Sequence, residues 1–278
     1  MREDEFGLCM PAYPPITKPP PPYFFKGHTL TIFYQSDPKV LREMLPEPLE
    51  PAPSNLVTID AQYLPWSFPC GPCSEGGVYI AAKYKDIVAD YCPFMFMDSD
   101  VGVYGGREIY GYPKEIGNIS LTFGGQALEH PMPHGFPLSS PHSEPGGREI
   151  MSGVVSRCGI DLYKINVALV EKGKPDDREI VPGVPRVPAK HIVLKMIPNV
   201  DGKPLIRQLN LVPLEQGNVL EEWKGPATIS FGESPSDPIY KLKPVKVLGG
   251  VYQNVEIWLG TGKVIYDYLK APGSQAVR

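Results

Sequence analysis

The sequence predicts a mainly β fold with few helices. Short segments rich in β-branched and aromatic residues recur along the chain, and glycines and prolines separate them. Only one helix has clear start and stop signals. Because strands do not alternate regularly with helices, the pattern favours a closed barrel or a sandwich over a parallel α/β sheet.

The predicted strands are short and spread over the whole chain. Each is bounded by turn-forming residues and has the composition typical of a strand that is buried on at least one face. The segments are residues 29–35, 56–63, 78–85, 117–123, 150–157, 190–197, 204–213, 226–231 and 245–259.

One helix is predicted after the first strand. Asp37 is suited to cap its N-terminus, and Pro38 occupies the first helical position, where proline is favoured. Pro46 ends the helix, since the residue before a proline avoids helical backbone. One face of the helix is apolar and contains Val40, Leu41, Met44 and Leu45.

The domain organisation follows from the distribution of prolines and glycines. We expect one domain over residues 1–278, because no low-complexity linker or internal repeat divides the chain. Residues 1–25 are predicted to form an extended, proline-rich N-terminal arm, with polyproline-like backbone over residues 11–22. Residues 128–147 and 172–188, rich in Pro, Gly, His and Ser, are predicted to be surface loops or lids.

Composition argues against several classes of protein. The hydrophobic content of 42% allows a substantial core, and the net charge of −4, without a block of Lys or Arg, argues against nucleic-acid binding. No segment approaches the roughly 20 apolar residues that a membrane span requires. The chain opens with Arg2, Glu3, Asp4 and Glu5 and lacks the apolar region of a signal peptide, so we expect a cytoplasmic protein.

Five cysteines are present, and two of them form the segment Cys70-Gly71-Pro72-Cys73. This spacing occurs in redox motifs, but a thioredoxin-like site would need a βαβ context that the sequence does not indicate. A metal site would need a second cysteine pair or nearby histidines at suitable spacing. We therefore predict no metal site, and buried or loop thiols are the commoner interpretation of these residues.

Sequence motifs for nucleotide, zinc-protease and serine-hydrolase chemistry are missing. The segment of residues 105–117, GGREIYGYPKEIG, instead places Lys114 directly after a proline and near two tyrosines. Such a lysine could occupy an apolar pocket, although a single lysine is more often a solvated surface residue.

Several blocks, in the same order, carry a family resemblance. The main block is Gly106-Arg107-Glu108 followed by Tyr112-Pro113-Lys114. The others are residues 45–50 (LPEPLE), 195–202 (KMIPNVDG), 222–226 (EWKGP) and 264–269 (VIYDYL). Along most of its length the chain resembles the acetoacetate decarboxylase family, in which the lysine at the position of Lys114 forms a Schiff base.

The resemblance implies a set of site residues. Lys114 would be the nucleophile, Glu75 would be an active-site acid or base, and Asp60 would stand where the family has a second glutamate. Tyr112 would line the substrate pocket. The resemblance also implies an antiparallel, barrel-like β structure, a homo-oligomer, a small keto-acid substrate and no cofactor.

The chain departs from the family pattern at two places. Better-known members have a second lysine after the nucleophile, whereas this chain has Glu115, which should point away from Lys114 because successive strand residues face opposite ways. Those members also have an arginine in the segment that corresponds to residues 26–30. Here His28 or Lys26 is nearest, and we expect His28 to take part in substrate binding.

The expected chemistry needs a neutral lysine. At pH 7 only about one lysine in 2,500 is neutral at the ordinary pKa. Burial in an apolar pocket can lower a lysine pKa by several units, so we expect desolvation to activate Lys114. Activation of this kind is a known property of acetoacetate decarboxylase, which is itself a standard example of it.

Three functions agree with these observations. The first is a Schiff-base carboxy-lyase that decarboxylates acetoacetate or a related β-keto acid. The second keeps the Schiff base but acts as an aldolase or dehydratase on a larger oxo acid. The third is a non-catalytic barrel that binds a small molecule.

Overall fold

The structure is a computed structural model that describes residues 2–18, 23–123, 126–128, 149–174, 177–187 and 189–270. Its helical elements are α1 (Pro38–Met44), α2 (Asp100–Tyr104), a π-helical turn (Gly105–Tyr110) and two 3-10 turns (Glu3–Glu5 and Ile239–Lys241). Its strands are β1 (Tyr23–Ser36), β2 (Glu50–Pro51), β3 (Leu56–Phe68), β4 (Cys73–Tyr84), β5 (Ile87–Met97), β6 (Lys114–Ile116), β7 (Asn118–Phe123), β8 (Gln126–Leu128), β9 (Glu149–Arg157), β10 (Ile160–Leu169), β11 (Glu171–Lys172), β12 (Glu179–Val181), β13 (Val184–Pro185), β14 (Lys190–Pro198), β15 (Pro204–Gly225), β16 (Ala227–Phe231), β17 (Pro244–Leu259) and β18 (Lys263–Asp267).

The large sheet closes on itself. Strands β4, β3, β1, β17, β15, β14 and β5 follow one another by hydrogen bonding, and β5 pairs with β4 again to complete a ring. All neighbours in this ring are antiparallel except β14 and β5, which run parallel. The predicted mainly antiparallel, barrel-like β structure is therefore confirmed.

A second, five-stranded sheet packs against the outside of this ring. It has the order β16-β10-β9-β7-β8. The largest apolar cluster joins its inner face to the outer face of the ring and to α1, which contributes Leu41. Strand alternation explains the division, since Val78 and Ile80 of β4 point to this core while Tyr79 belongs to a separate cluster.

That separate cluster fills the inside of the ring. Its buried members come from six ring strands and from the segment before β6, and side chains from opposite strands can meet only in the interior. They are Tyr23, Tyr79, Cys92, Met95, Tyr110, Tyr112, Val193, Val212 and Leu259.

The local predictions agree well with the structure. Helix α1 begins at Pro38, and Asp37 caps it by accepting a hydrogen bond from the Lys39 backbone N–H at 2.8 Å. Each of the nine predicted strand segments falls largely within a strand. The sequence did not predict β5 or β10, nor the helical segment over residues 100–110.

The proline-rich and loop segments differ in part from expectation. Residues 2–18 form a 3-10 turn and a series of bends instead of an extended run, and the Gly7 N–H donates to the Ala12 carbonyl at 2.9 Å. Residues 172–188 contain the paired strands β12 and β13. The predicted loop over 128–147 lies outside the described residues, except for Leu128 at the end of β8. Within the described ranges, no helix is both long and apolar enough to cross a membrane.

Candidate active site

Lys114 lies inside the ring, at the start of the short strand β6. This strand pairs with β5 in parallel, with Lys114 beside Met95. The Lys114 side chain is 9% exposed, and its Nζ donates to Glu75 Oε2 at 2.6 Å. Nζ also lies 3.6 Å from Met97 Sδ and 5.8 Å from the centre of the Tyr112 ring.

The next residue faces the other way, as the strand alternation predicted. Glu115 forms an ion pair with Arg157 outside the ring, with the oxygen and nitrogen atoms 2.6 Å apart. The expectation that Glu115 points away from Lys114 is confirmed.

The segment before Lys114 is shaped by two glycines. Gly106, in the π-helical turn, lies against the lysine stem, and a Cβ atom at this position would be 2.6 Å from Lys114 Cδ. Gly111 ends the turn with a φ of 98°, a left-handed conformation that favours glycine. A helical turn followed by Gly111 thus carries the chain to Tyr112-Pro113-Lys114.

Glu75 and Asp60 come from neighbouring strands of the ring. Glu75 of β4 pairs with Gln62 of β3, two residues from Asp60, so the two carboxyl groups are on the same face. Asp60 is buried and accepts hydrogen bonds from the Gly77 N–H at 2.8 Å and from Gln62 Nε2 at 3.0 Å. The structure therefore brings both predicted acids to the lysine side of the ring.

The pKa of Asp60 is strongly shifted. Burial and, after it, the neighbouring charge of Glu75 raise the pKa of Asp60 to about 8. Asp60 therefore keeps its proton at neutral pH.

Lys114 does not behave as desolvation alone predicts. Burial lowers its pKa, but the charge and hydrogen bond of Glu75, together with Cys70 and Cys73, raise it by more, and the net direction is upward. The expectation that burial leaves Lys114 with a lowered pKa is wrong, because the sequence does not show that a carboxylate lies 2.6 Å from its amine.

Aromatic side chains form one wall of the site. The Tyr112 hydroxyl is 3.0 Å from His191 Nδ1, and the His191 ring stacks on Tyr79 with centroids 4.6 Å apart. Burial and, after it, the charge of Lys114 lower the pKa of His191 to about 3, so the imidazole is neutral. Tyr110 packs edge-on against Tyr23 next to this wall.

His28 lies elsewhere. Its Nδ1 is 2.9 Å from the Tyr252 hydroxyl, and its ring stacks in parallel with those of Tyr63 and Tyr252. In β1, His28 faces the side opposite to Tyr23 and Phe25, which pack in the ring interior. The structure thus groups Lys114 with Glu75, Asp60 and Tyr112 but not with His28.

Sequence reasoning missed Tyr79, His191 and Met97 as parts of the site. The strand period offered a signal for Tyr79, since Glu75 and Tyr79 lie four positions apart on one strand and must share a face. His191 and Met97 had no such signal, because their positions depend on how distant strands close the ring.

Comparisons with known proteins agree with this geometry. The family described as acetoacetate decarboxylase (ADC) matches residues 9–269. An acetoacetate decarboxylase of Paraburkholderia phytofirmans is 28% identical over 270 residues, which cover 97% of this chain and 96% of the relative.

Solved structures show the same fold. A structure of acetoacetate decarboxylase has a TM-score of 0.79 at 24% identity, covering 97% of this chain and 100% of that chain. The enduracididine biosynthesis enzyme MppR, complexed with pyruvate, has a TM-score of 0.70 at 20% identity, covering 95% of this chain and 99% of that chain. The chain therefore belongs to the acetoacetate decarboxylase family and is an enzyme of the carboxy-lyase type.

Proposed function

We propose that this enzyme decarboxylates acetoacetate or a related β-keto acid through a Schiff base on Lys114. The observation that carries the proposal is the Lys114 amine, buried within the ring and 2.6 Å from the Glu75 carboxylate. A buried amine beside a proton acceptor is the arrangement that imine formation requires.

Glu75 supports the first step by taking a proton. Because the Lys114 pKa is raised, the amine is an ammonium before substrate arrives. Transfer of one proton to Glu75, across the existing hydrogen bond, leaves a neutral amine that attacks the ketone carbon. Glu75 then returns its proton to the carbinolamine hydroxyl, which leaves as water and gives the iminium.

Asp60 is suited to the later proton transfer. The electron pair of the bond to the carboxylate moves towards the iminium nitrogen as carbon dioxide leaves, and an enamine results. Its carbon must then gain a proton before hydrolysis releases the product and the lysine. With a pKa of about 8, Asp60 holds such a proton at neutral pH.

The aromatic wall favours loss of the substrate's carboxylate, because it solvates that negative charge poorly. Tyr112, Tyr79 and His191 are buried and uncharged, so they offer little stabilisation to a carboxylate that lies against them. Decarboxylation converts that carboxylate into neutral carbon dioxide and is favoured by an environment of low polarity.

A second candidate function keeps the same lysine. It is an aldolase or dehydratase that acts on a larger oxo acid, and two observations favour it. His28, the residue nearest in sequence to the family's early arginine, lies away from Lys114. In addition, MppR has also been solved with the condensation product of pyruvate and imidazole 4-carboxaldehyde (TM-score 0.69, 20% identity, 94% of this chain and 96% of that chain). Membership of an enzyme family disfavours the third hypothesis, a non-catalytic barrel.

Borohydride trapping tests the shared step. We expect acetoacetate plus borohydride to add mass at Lys114, and Lys114→Ala to abolish the adduct. Lys195→Ala is the matched control, since Lys195 is also partly buried with a pKa lowered by burial, but its Nζ binds the Ile109 carbonyl. Trapping that survives in Lys114→Ala and disappears in Lys195→Ala would refute the assignment.

Product analysis separates the two candidate functions. Release of carbon dioxide from acetoacetate supports the decarboxylase, whereas condensation of pyruvate with an aldehyde supports the aldolase. The homo-oligomer implied by the family resemblance is likewise a proposal, which light scattering on the purified protein would test.

A further inference from the structure

Two cysteines that the proposed mechanism does not use lie next to the candidate active site. The segment Cys70-Gly71-Pro72-Cys73 forms the turn between β3 and β4. Ser67 fastens this turn, since its carbonyl accepts from the Gly71 N–H at 2.9 Å and its hydroxyl donates to the Gly71 carbonyl. Ser67 Oγ also lies 3.4 Å from Cys73 Sγ. Ser67 therefore links the backbone of this turn to the Cys73 thiol.

The two thiols lie in the same part of the structure. Cys70 packs against the small apolar cluster that contains Cys73, and each thiol shifts the pKa of the other. Cys73 is 3% exposed, whereas Cys70 is only partly buried. A reagent from solvent can thus reach Cys70 more readily than Cys73.

Their surroundings connect them to Lys114. Cys73 packs with Leu64 and Met97 in a small apolar cluster to which Cys70 also belongs. Met97 Sδ is 3.6 Å from Lys114 Nζ, so the cluster extends to the amine. The thiols and the lysine are therefore parts of one packed group.

The two thiols also differ in acidity. Interaction with the Cys73 thiol lowers the pKa of Cys70, and the positive charge of Lys114 lowers it further, although burial raises it. Interaction with Cys70 and burial raise the pKa of Cys73. Together with the greater exposure of Cys70, this difference favours Cys70 as the attacking thiol and Cys73 as the resolving one.

We propose that Cys70 and Cys73 form a redox-active dithiol, which a hydroperoxide converts into a disulfide across the β3–β4 turn. The Cys70 thiolate attacks the outer peroxide oxygen and becomes a sulfenic acid, while the peroxide is reduced to an alcohol or water. The Cys73 sulfur then attacks the Cys70 sulfur, the S–O bond breaks, and the hydroxyl leaves as water with the Cys73 proton. A dithiol reductant reverses the reaction by thiol–disulfide exchange.

Oxidation of the two thiols should lower the pKa of Lys114. Negative charge on Cys70 or Cys73 raises the Lys114 pKa, and a disulfide cannot carry that charge. The disulfide form should therefore label at Lys114 at lower pH than the dithiol form does. This effect concerns the amine alone and does not depend on which substrate the enzyme uses.

The test is alkylation after peroxide treatment. The full chain is treated with hydrogen peroxide, denatured, alkylated with iodoacetamide and mapped by mass spectrometry. We expect Cys70 and Cys73 to escape alkylation, their peptide to lose two hydrogen atoms, and dithiothreitol to restore both thiols. Cys158→Ser, which removes an exposed cysteine outside the turn, should give the same result.

Single substitutions establish the roles of the two thiols. In Cys73→Ser the Cys70 sulfenic acid should persist and react with dimedone, whereas Cys70→Ser should leave Cys73 alkylatable. The proposal is overturned if both thiols stay alkylatable at a peroxide concentration that oxidises Cys158. It is also overturned if peroxide joins Cys70 to Cys9 instead of to Cys73. Cys9 is the cysteine to check because Cys70 and Cys9 both raise the pKa of Tyr23.

Discussion

Two ion pairs, formed by adjacent residues of β6, show how the ring changes the chemistry of a carboxylate. Lys114 and Glu75 lie 2.6 Å apart inside the ring, with exposed side-chain fractions of 9% and 14%. Arg157 and Glu115 also lie 2.6 Å apart, but outside it, with 25% and 37% exposed. The distances are equal, so the pairs differ in their surroundings and in their cations, since an ammonium can give up a proton and a guanidinium does not.

Water screens the attraction between the charges of the outer pair, whereas the charges of the buried inner pair interact strongly. An exposed ion pair contributes at most about 1 kcal/mol to stability. The inner pair is largely buried. Moving a proton from the Lys114 nitrogen to the Glu75 oxygen would convert this charged pair into a neutral one with little reorganisation of solvent. The buried ammonium–carboxylate pair is therefore suited to the proton transfer that we propose, whereas the guanidinium–carboxylate pair is a partly exposed contact.

Replacing the inner carboxylate should have the largest effect. In Glu75→Gln the amine loses its proton acceptor, and we expect kcat for decarboxylation to fall by about 10²- to 10⁴-fold. The pKa of Lys114 should fall at the same time, because the negative charge that raises it is gone while burial remains. The pH dependence of labelling by an amine-reactive reagent measures this shift.

Glu75→Gln should slow catalysis and speed labelling of Lys114, and these opposite effects make the test specific. General damage to the site would lower both activity and labelling. Faster labelling at neutral pH together with slower catalysis would identify Glu75 as the group that holds the proton. An unchanged labelling curve would contradict the coupling of the inner pair.

The position of the amine can be tested without changing any charge. In Gly106→Ala the added Cβ would lie 2.6 Å from Lys114 Cδ and 2.8 Å from Cε, so the flexible lysine stem must move. We expect trapping by borohydride to fall by about 10²-fold, since a displacement near 1 Å can have that effect, with little change in the unfolding midpoint. Gly105→Ala is the control, because its Cβ meets Thr17 at 3.1 Å and not the lysine. Equal trapping in the two variants would show that the contact with Gly106 is unimportant.

Asp60 extends the comparison to a carboxyl that keeps its proton. Its pKa of about 8 in the folded protein exceeds the ordinary value of 3.8, so between these limits the unfolded chain binds fewer protons than the folded one. The free energy of unfolding therefore falls as pH rises through this window, by about 4 kcal/mol at pH 7. In Asp60→Asn we expect a shallower fall between pH 5 and 8, and a kcat lower by about 10- to 100-fold.

Urea unfolding at several pH values measures the effect on stability. Asp86→Asn provides the control, because Asp86 is exposed in the turn between β4 and β5. If wild type and Asp60→Asn lose stability equally between pH 5 and 8, Asp60 does not hold its proton in the folded protein.

Local features of this fold could be predicted from the sequence, because the residues that determine them are close together in the chain. Asp37, Pro38 and Pro46 act within a few residues of α1, so they fix its ends without help from the rest of the chain. Alternation along β6 likewise separates Lys114 from Glu115 whatever surrounds them. The family resemblance then supplied Glu75 and Asp60, which the residues alone did not single out.

Non-local features could not be predicted in this way. The parallel pairing of β14 with β5 closes the ring between segments about 100 residues apart and brings His191 to Tyr112. The π-helical turn has poor local helix signals, since Gly105 and Gly106 are weak helix formers. The direction of the Lys114 pKa shift also depended on a distance across the ring, so sequence reasoning recognised the burial and missed the counter-charge.

The outer pair provides the smallest effect and the matching control. Glu115→Gln removes a carboxylate one residue away from Lys114, with the same change in net charge as Glu75→Gln. Because Glu115 points outward to Arg157, we expect the labelling curve of Lys114 and the rate of borohydride trapping to stay close to wild type. Stability should change by no more than about 1 kcal/mol, since the pair is partly exposed. A labelling curve that moved as far in Glu115→Gln as in Glu75→Gln would mean that the amine responds to net charge instead of to its partner inside the ring, and the distinction between the two pairs would be lost.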